Sequence, residues 1–212
     1  MDNRYVKIFA SGSKAPLKAT PGHFATNHAH INYYLDMTTL KTRLSEAQEV
    51  AKHLAERFLF DKVVDTIVCL EGTQVIGAYL AEELTRAGVL STNAHKTIYV
   101  VTPEFNANGQ MIFRDNLKPE IYGKNVLLLL ASATTGKTVR TSIECIEYYG
   151  GILQGISAIF SAVDSIDGHR IDALFRAEDI PNYEAYPSHD CPMCKAGQSV
   201  DALVNGYGYS EI

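Results

Sequence analysis

Residues 125–138 read NVLLLLASATTGKT, and no other stretch restricts the fold as much. The apolar run 126–131 is too short for a buried helix and suits a strand covered on both faces. A turn of small residues, 131–136, follows at once. A helix is then predicted over 138–149, with Val139, Ile143 and Ile146 inward and Gly150-Gly151 as its stop. A strand running straight into a helix aims backbone N–H groups and the positive end of the helix dipole at one spot. Here that spot is Ala133, Thr134, Thr135, Gly136, Lys137 and Thr138. Three hydroxyls, a glycine that permits close backbone approach and a lysine charge suit a phosphate. The alternative is an ordinary strand–helix connection rich in small residues. It is not a Walker A loop, because the first glycine of that motif is missing.

The rest of the chain alternates in the same way. A helix is predicted over 44–60, with Ala47, Val50, Ala51, Leu54 and Phe58 on one face and Ser45 and Gln48 at capping-box spacing. A strand at 66–70 leads through Glu71-Gly72-Thr73 into a helix over 74–87, with Ile76, Tyr79, Leu80 and Leu84 inward and Gly88 as its stop. Further strands are predicted at 97–102, 152–163 and 169–175. Asn108-Gly109 is a hairpin signal that makes 103–115 a β-hairpin arm. Strand–helix alternation of this kind predicts an α/β fold with a mainly parallel central sheet flanked by helices.

The 212 residues suffice for one domain with a sizeable core, and no linker or repeat divides them. The formal charge of -5 argues against a broad nucleic-acid-binding surface, though local N–H groups can still hold a small anion. Residues 1–18 have no apolar core of a secretory signal, and no apolar run reaches the roughly 20 residues of a membrane span. Four cysteines do not make a disulfide framework. The expected compartment is the cytoplasm, with no membrane partner.

Strand, small turn, Thr-Thr-Gly-x-Thr and helix together resemble the ribose-phosphate signature of the type I phosphoribosyltransferases. Gly22-His23-Phe24, Tyr33-Tyr34-Leu35-Asp36 and the Cys191-Pro192-Met193-Cys194 tail resemble the orotate branch, so that the similarity spans about residues 20–200. The resemblance implies one domain over 1–212, with an N-terminal hood over about 1–40 and a C-terminal tail over 185–212. It implies a homodimer and a small phosphorylated ligand, namely phosphoribosyl pyrophosphate (PRPP) or a nucleotide, with Mg2+ accompanying PRPP. The loop 133–138 would then hold the 5′-phosphate. Glu71, Gly72 and Thr73 fall at the pyrophosphate loop, although Glu71 would repel that anion unless a metal stood between them, and the stretch equally suits a plain turn with no ligand role. Asn27, His28, Tyr33 and Tyr34 fall on the base side, where tyrosines stack planar rings and histidines bond ring oxygens. The tyrosines also suit a half-buried strand with no ligand role.

Three departures stand beside the likeness. The family's adjacent acidic pair on the ribose side reads Ala131-Ser132. The mobile loop, 102–109, has no Lys, Arg or His, with Arg114 and Lys118 lying further on. The family's base-side lysine falls at Asn27. Two functions follow from the loop: transfer of phosphoribosyl to a base, orotate by default, or binding of the same ligands by a regulatory protein without turnover. The lost carboxylates predict weak or absent orotate turnover.

Cys191 and Cys194, with His189 nearby, have the spacing of half a zinc knuckle or a redox pair. Cys69 and Cys145 lie in predicted core elements and do not complete a set of ligands. The expectation is therefore a structural turn with free thiols and no metal.

Overall fold

The computed structural model describes residues 5–86, 91–94, 96–107 and 109–212. The predicted helix stop at Gly88 and the turn residue Asn108 lie outside them.

The central sheet is six-stranded and is built around β4 (Thr66–Cys69), β5 (Tyr99–Val101), β8 (Asn125–Ala133), β9 (Ile152–Ser161), β10 (Ser165–Ile166) and β11 (His169–Arg176). Its order is β10-β11-β9-β8-β4-β5, with every pair parallel except β10 with β11. The apolar run behaves as a central strand should. Leu127, Leu129 and Ala131 enter one buried cluster, whereas Val126, Leu128, Leu130 and Ala133 enter another on the opposite face. The first face is covered by α2 (Leu44–Ala55) and α3 (Gln74–Arg86), the second by α4 (Lys137–Tyr148). Truncating a buried leucine of such a strand to alanine typically costs about 2–5 kcal/mol.

Two local expectations are corrected, and one element is added. Residues 131–133 are strand rather than turn, because β9 runs beside them and pairs Ser132 with Phe160 and Ala133 with Ser161. No capping box forms at Ser45, since Arg43 is the N-cap and makes no side-chain cap bond. A short helix that the periodicity does not reveal, α1 (Thr38–Thr42), occupies the segment just before. The predicted arm does form an antiparallel hairpin, β6 (Glu104–Phe105) with β7 (Met111–Ile112).

A second six-stranded sheet stands over the first. It contains β1 (Val6–Phe9), β2 (Pro16–Ala25), β3 (His30–Asp36), β12 (Ala185–Tyr186), β13 (Ala202–Asn205) and β14 (Gly208–Glu211). N-terminal and C-terminal strands interleave in it: β12 pairs with β3, and β13 runs parallel to β2. Its small core is Phe24, Ile31, Tyr34, Ala202 and Val204.

The topology fixes where a ligand can sit. From β4 the chain moves outward to β5, then returns to the other side of β4 as β8 and continues to β9 and β11. The crevice beyond the carboxyl ends of β4 and β8 is thus a switch point, the usual ligand position in open α/β sheets. Residues 71–73 follow β4 there, and residues 134–136 follow β8.

Candidate functional site

A cavity opens at this switch point. Its floor is the segment 131–139, its walls include Lys41, Glu71 and Tyr183, and its roof comes from the second sheet. The floor is shaped by Gly136, the N-cap of α4, whose φ of 73° is left-handed. A Cβ there would also overlap the Ile166 side chain, so glycine is needed on two counts. The first α4 backbone bond runs from Arg140 N–H to the Gly136 carbonyl at 2.9 Å. The N–H groups of Lys137, Thr138 and Val139 precede it and have no intrahelical acceptor. All three residues line the cavity, together with Ala133, Thr134 and Thr135. The six residues singled out as a phosphate loop are therefore brought to one place. Tyr183 stands beside Thr134, and its phenol is pushed up to about 12, chiefly by burial.

Ala131 and Ser132, expected on the ribose side, carry no carboxylate of their own, but one reaches them from elsewhere. Glu71 Oε2 accepts from Ala131 N–H at 3.2 Å and from Ser132 N–H at 3.0 Å. Glu71 achieves this with a left-handed φ of 54°, a strained conformation for a side-chain-bearing residue. Lys41 braces the turn by donating from Nζ to the Glu71 carbonyl at 3.0 Å and to the Gly206 carbonyl at 2.5 Å. Burial pushes the Glu71 carboxyl up, against its two amide donors and Lys41, and pushes the Lys41 ammonium down, against Glu71 and Asp36. Both partners shift toward their neutral forms, so this is not a stabilising salt bridge. Buried ionisable groups held beside a cavity against their burial cost are candidates for a functional role.

The other predicted residues divide. Asn27 and His28 sit at the exposed tip of the β2–β3 turn and line the cavity with Tyr34, whose phenol is also pushed up to about 12 by burial, Asp36 and Tyr209. Tyr33 packs against the main core instead. Gly72 does not line the cavity. Thr73 is fully buried and donates its hydroxyl to the Leu70 carbonyl at 2.8 Å, which leaves it turned away from any ligand. The two basic residues beyond the neutral loop are held by local acids: Arg114 by Glu104 at 2.6 Å and Lys118 by Asp115 at 2.6 Å.

The sequence reading missed Lys41 and the residues Asn205, Gly206, Tyr207 and Gly208, which join β13 to β14 and close the cavity roof. The Asn205-Gly206 pair is a hairpin signal that was available. For Lys41 the sequence holds no signal, because it lies on a helix that periodicity does not reveal.

Comparison with known proteins agrees with this geometry. No protein-family model matches the chain. The orotate phosphoribosyltransferase of Pelotomaculum thermopropionicum is 30% identical over 182 residues, covering 83% of this chain and 85% of that one. The chain belongs to the orotate phosphoribosyltransferase family. A second member, from Thermus thermophilus, is 28% identical over 184 residues, with 86% and 92% covered. Among solved structures, the family's Mycobacterium tuberculosis H37Rv enzyme in complex with Fe(III) dicitrate superposes with a TM-score of 0.53 at 14% identity, covering 77% of this chain and 91% of that one. A phosphoribosyltransferase from Corynebacterium diphtheriae gives 0.51 at 17% identity, with 76% and 89% covered. At such identities these structures bear on the fold alone, and they establish the type I phosphoribosyltransferase fold that the residue 125–138 signature implied.

Among the described residues no helix is long and apolar enough to cross a membrane.

Proposed function

We propose that the cavity binds a 5-phosphoribosyl ligand and that the chain transfers phosphoribosyl from PRPP to a nitrogen base, orotate by default. The observation that supports this best is the amino end of α4 opening into a cavity roofed by the second sheet. The free N–H groups of the first turn, the helix dipole and Lys137 hold the 5′-phosphate. The ribose lies along Ala131, Ser132 and Glu71, and the base lies toward Asn27, His28 and Tyr34. In the transfer the bond from ribose C1 to pyrophosphate breaks, pyrophosphate leaves, and a bond from C1 to the base nitrogen forms as that nitrogen gives up its proton. Positive charge develops at the sugar, and the Glu71 carboxylate is the acidic group at hand to steady it.

Mg2+ accompanies PRPP in this reading. Glu71 is the single acidic residue lining the cavity among the described residues. One carboxylate with ligand phosphates is an ordinary magnesium donor set, so the residues fit an ion that arrives on its ligand. When bound, it offsets the charge of the leaving pyrophosphate.

A second reading rests on Ala131 and Ser132: a regulatory protein that binds PRPP or a nucleotide without turnover. Glu71 replaces at most one of two carboxylates, and its Oε2 is already engaged with two amides. Turnover of orotate is expected to be slow under the first reading and absent under the second. Calorimetry with PRPP, ribose 5-phosphate and nucleoside monophosphates, with and without Mg2+, is to be run beside an orotate turnover assay. Binding with slow turnover supports transfer, and binding with none supports the regulatory role. Absence of any binding refutes both.

The same reading implies a cytoplasmic homodimer in which the β6–β7 arm reaches the neighbouring subunit. A monomer in sedimentation at micromolar concentration would refute it.

A further inference from the structure

The tail cysteines do not stand alone. His23 from β2, His30 from β3, and Cys191 and Cys194 around α5 (Pro192–Lys195) place their four ligand atoms within 4.8 Å of one another. His189, adjacent in sequence, is exposed and lies outside the group. We propose that His23, His30, Cys191 and Cys194 form a tetrahedral Zn2+ site that fastens the C-terminal segment to the sheet over the cavity.

The distances are close to those such a site requires. Zinc bonds of about 2.0–2.1 Å to nitrogen and 2.3 Å to sulfur at tetrahedral angles set N···S edges of about 3.6 Å and an N···N edge of about 3.3 Å. His23 Nε2 lies 3.6 Å from each of the Cys191 and Cys194 sulfurs, and His30 Nδ1 lies 3.3 Å from the Cys194 sulfur. The two nitrogens are 2.9 Å apart, slightly closer than a bound ion would hold them. Hydrogen bonding does not explain the convergence. His23 Nε2 faces three partners, and one ring nitrogen has a single proton or a single lone pair to offer. One cation at the centre satisfies all four atoms.

The surroundings prepare the ligands as well. His23 Nδ1 lies 3.0 Å from the Gln198 carbonyl and 3.1 Å from the Ser199 carbonyl. Carbonyls only accept, so the ring proton sits on Nδ1 and the Nε2 lone pair faces the cluster. A metal-bound histidine is commonly oriented in this manner. A register shift in the β2–β3 pairing between Pro21 and Phe24 turns His23 inward, and its backbone is tied to Asp201 by two bonds, of 2.8 and 2.7 Å. Two thiolates and two neutral imidazoles balance the charge of a divalent ion, and an S2N2 tetrahedron is the donor set of structural zinc. The two thiol protons leave to solvent on binding.

The consequence reaches the cavity. From the CxxC turn the chain passes the carbonyls that hold His23 and enters β13, whose hairpin supplies the roof residues 205–208. Zinc therefore secures the strand that carries the roof.

The test uses the full-length protein expressed with zinc and stripped of loose metal by gel filtration. Elemental analysis is expected to find about one zinc per chain, the stoichiometry of a closed four-ligand site. Replacement by Co2+ is expected to give intense tetrahedral d–d bands and a thiolate-to-cobalt charge-transfer band. Cys194→Ser, at an exposed position, is expected to lose most of the zinc and to weaken the charge-transfer band, while His189→Ala keeps both. Wild type with neither zinc nor a tetrahedral cobalt spectrum overturns the proposal, as does Cys194→Ser that retains metal like wild type. If Cys194→Ser does not fold, the wild-type cobalt spectrum decides alone. None of these readouts depends on phosphoribosyl binding, so they stand apart from the proposed function.

Discussion

Glu71 can be perturbed in two ways that separate its bonds from its charge. Its carboxylate accepts from the Ala131 and Ser132 amides, at 3.2 and 3.0 Å. Glu71→Ala leaves both donors without the side chain. Ala131 is 1% exposed, so its amide is stranded, whereas Ser132 lies partly open to the cavity and water can replace the loss. An unsatisfied buried donor costs about 1–3 kcal/mol, and a second, half-satisfied one brings the expected loss to about 2–4 kcal/mol. For a chain of this length 1 kcal/mol moves the melting temperature by about 2–4 °C, so Glu71→Ala should melt roughly 5–15 °C lower. Glu71→Gln keeps an amide oxygen for both donors and removes a carboxyl whose ionisation burial already opposes. Its melting temperature should stay within about 3 °C of wild type. If the carboxylate steadies the ribose centre, Glu71→Gln should nevertheless lower whatever orotate turnover the wild type shows by a factor of about 100–1000. Thermal melts followed by circular dichroism and a pyrophosphate-release assay read the two effects separately. If Glu71→Gln melts as low as Glu71→Ala, charge rather than hydrogen bonding holds the loop and the stability argument fails. If it turns over like wild type, the carboxylate has no part in the chemistry.

Gly136→Ala places a Cβ at a left-handed residue, at about 1–2 kcal/mol, and against Ile166 besides. Calorimetry should show ribose 5-phosphate affinity down by at least about tenfold. Ala131→Asp buries an unpaired carboxylate in the core and should cost about 3–5 kcal/mol in denaturant unfolding. Restoration of acidity is therefore better tried as Ser132→Asp, which faces the cavity and should raise orotate turnover if the missing charge is what limits it. Lys41 is held below the ordinary lysine value of 10.5, so the folded chain binds fewer protons there than the unfolded one at alkaline pH. Stability relative to Lys41→Met should accordingly rise with pH from the depressed native value up to about 10.5. Unfolding series between pH 8 and 10.5 that run parallel for the two proteins would refute this.

Local order alone determined a good deal. The apolar run, the small-residue turn and the helical period after it define β8, the loop and α4, because each depends on residues a few positions apart. The order of strands and helices likewise implied a parallel sheet, and the Thr-Thr-Gly-x-Thr stretch marked a loop that lines the cavity. What the sequence could not give are contacts between segments far apart. Glu71 meets the amides of residues 131 and 132 only because β4 and β8 lie side by side, a pairing that no local pattern encodes. Lys41 meets Gly206, and His23 meets Cys191 and Cys194, only because the two ends of the chain share one sheet. A carboxylate can be absent at its expected place and reach it from another loop, and the two tail cysteines can meet two histidines from the other end of the chain. Chemistry depends on distance in space, and only the tertiary structure sets that distance.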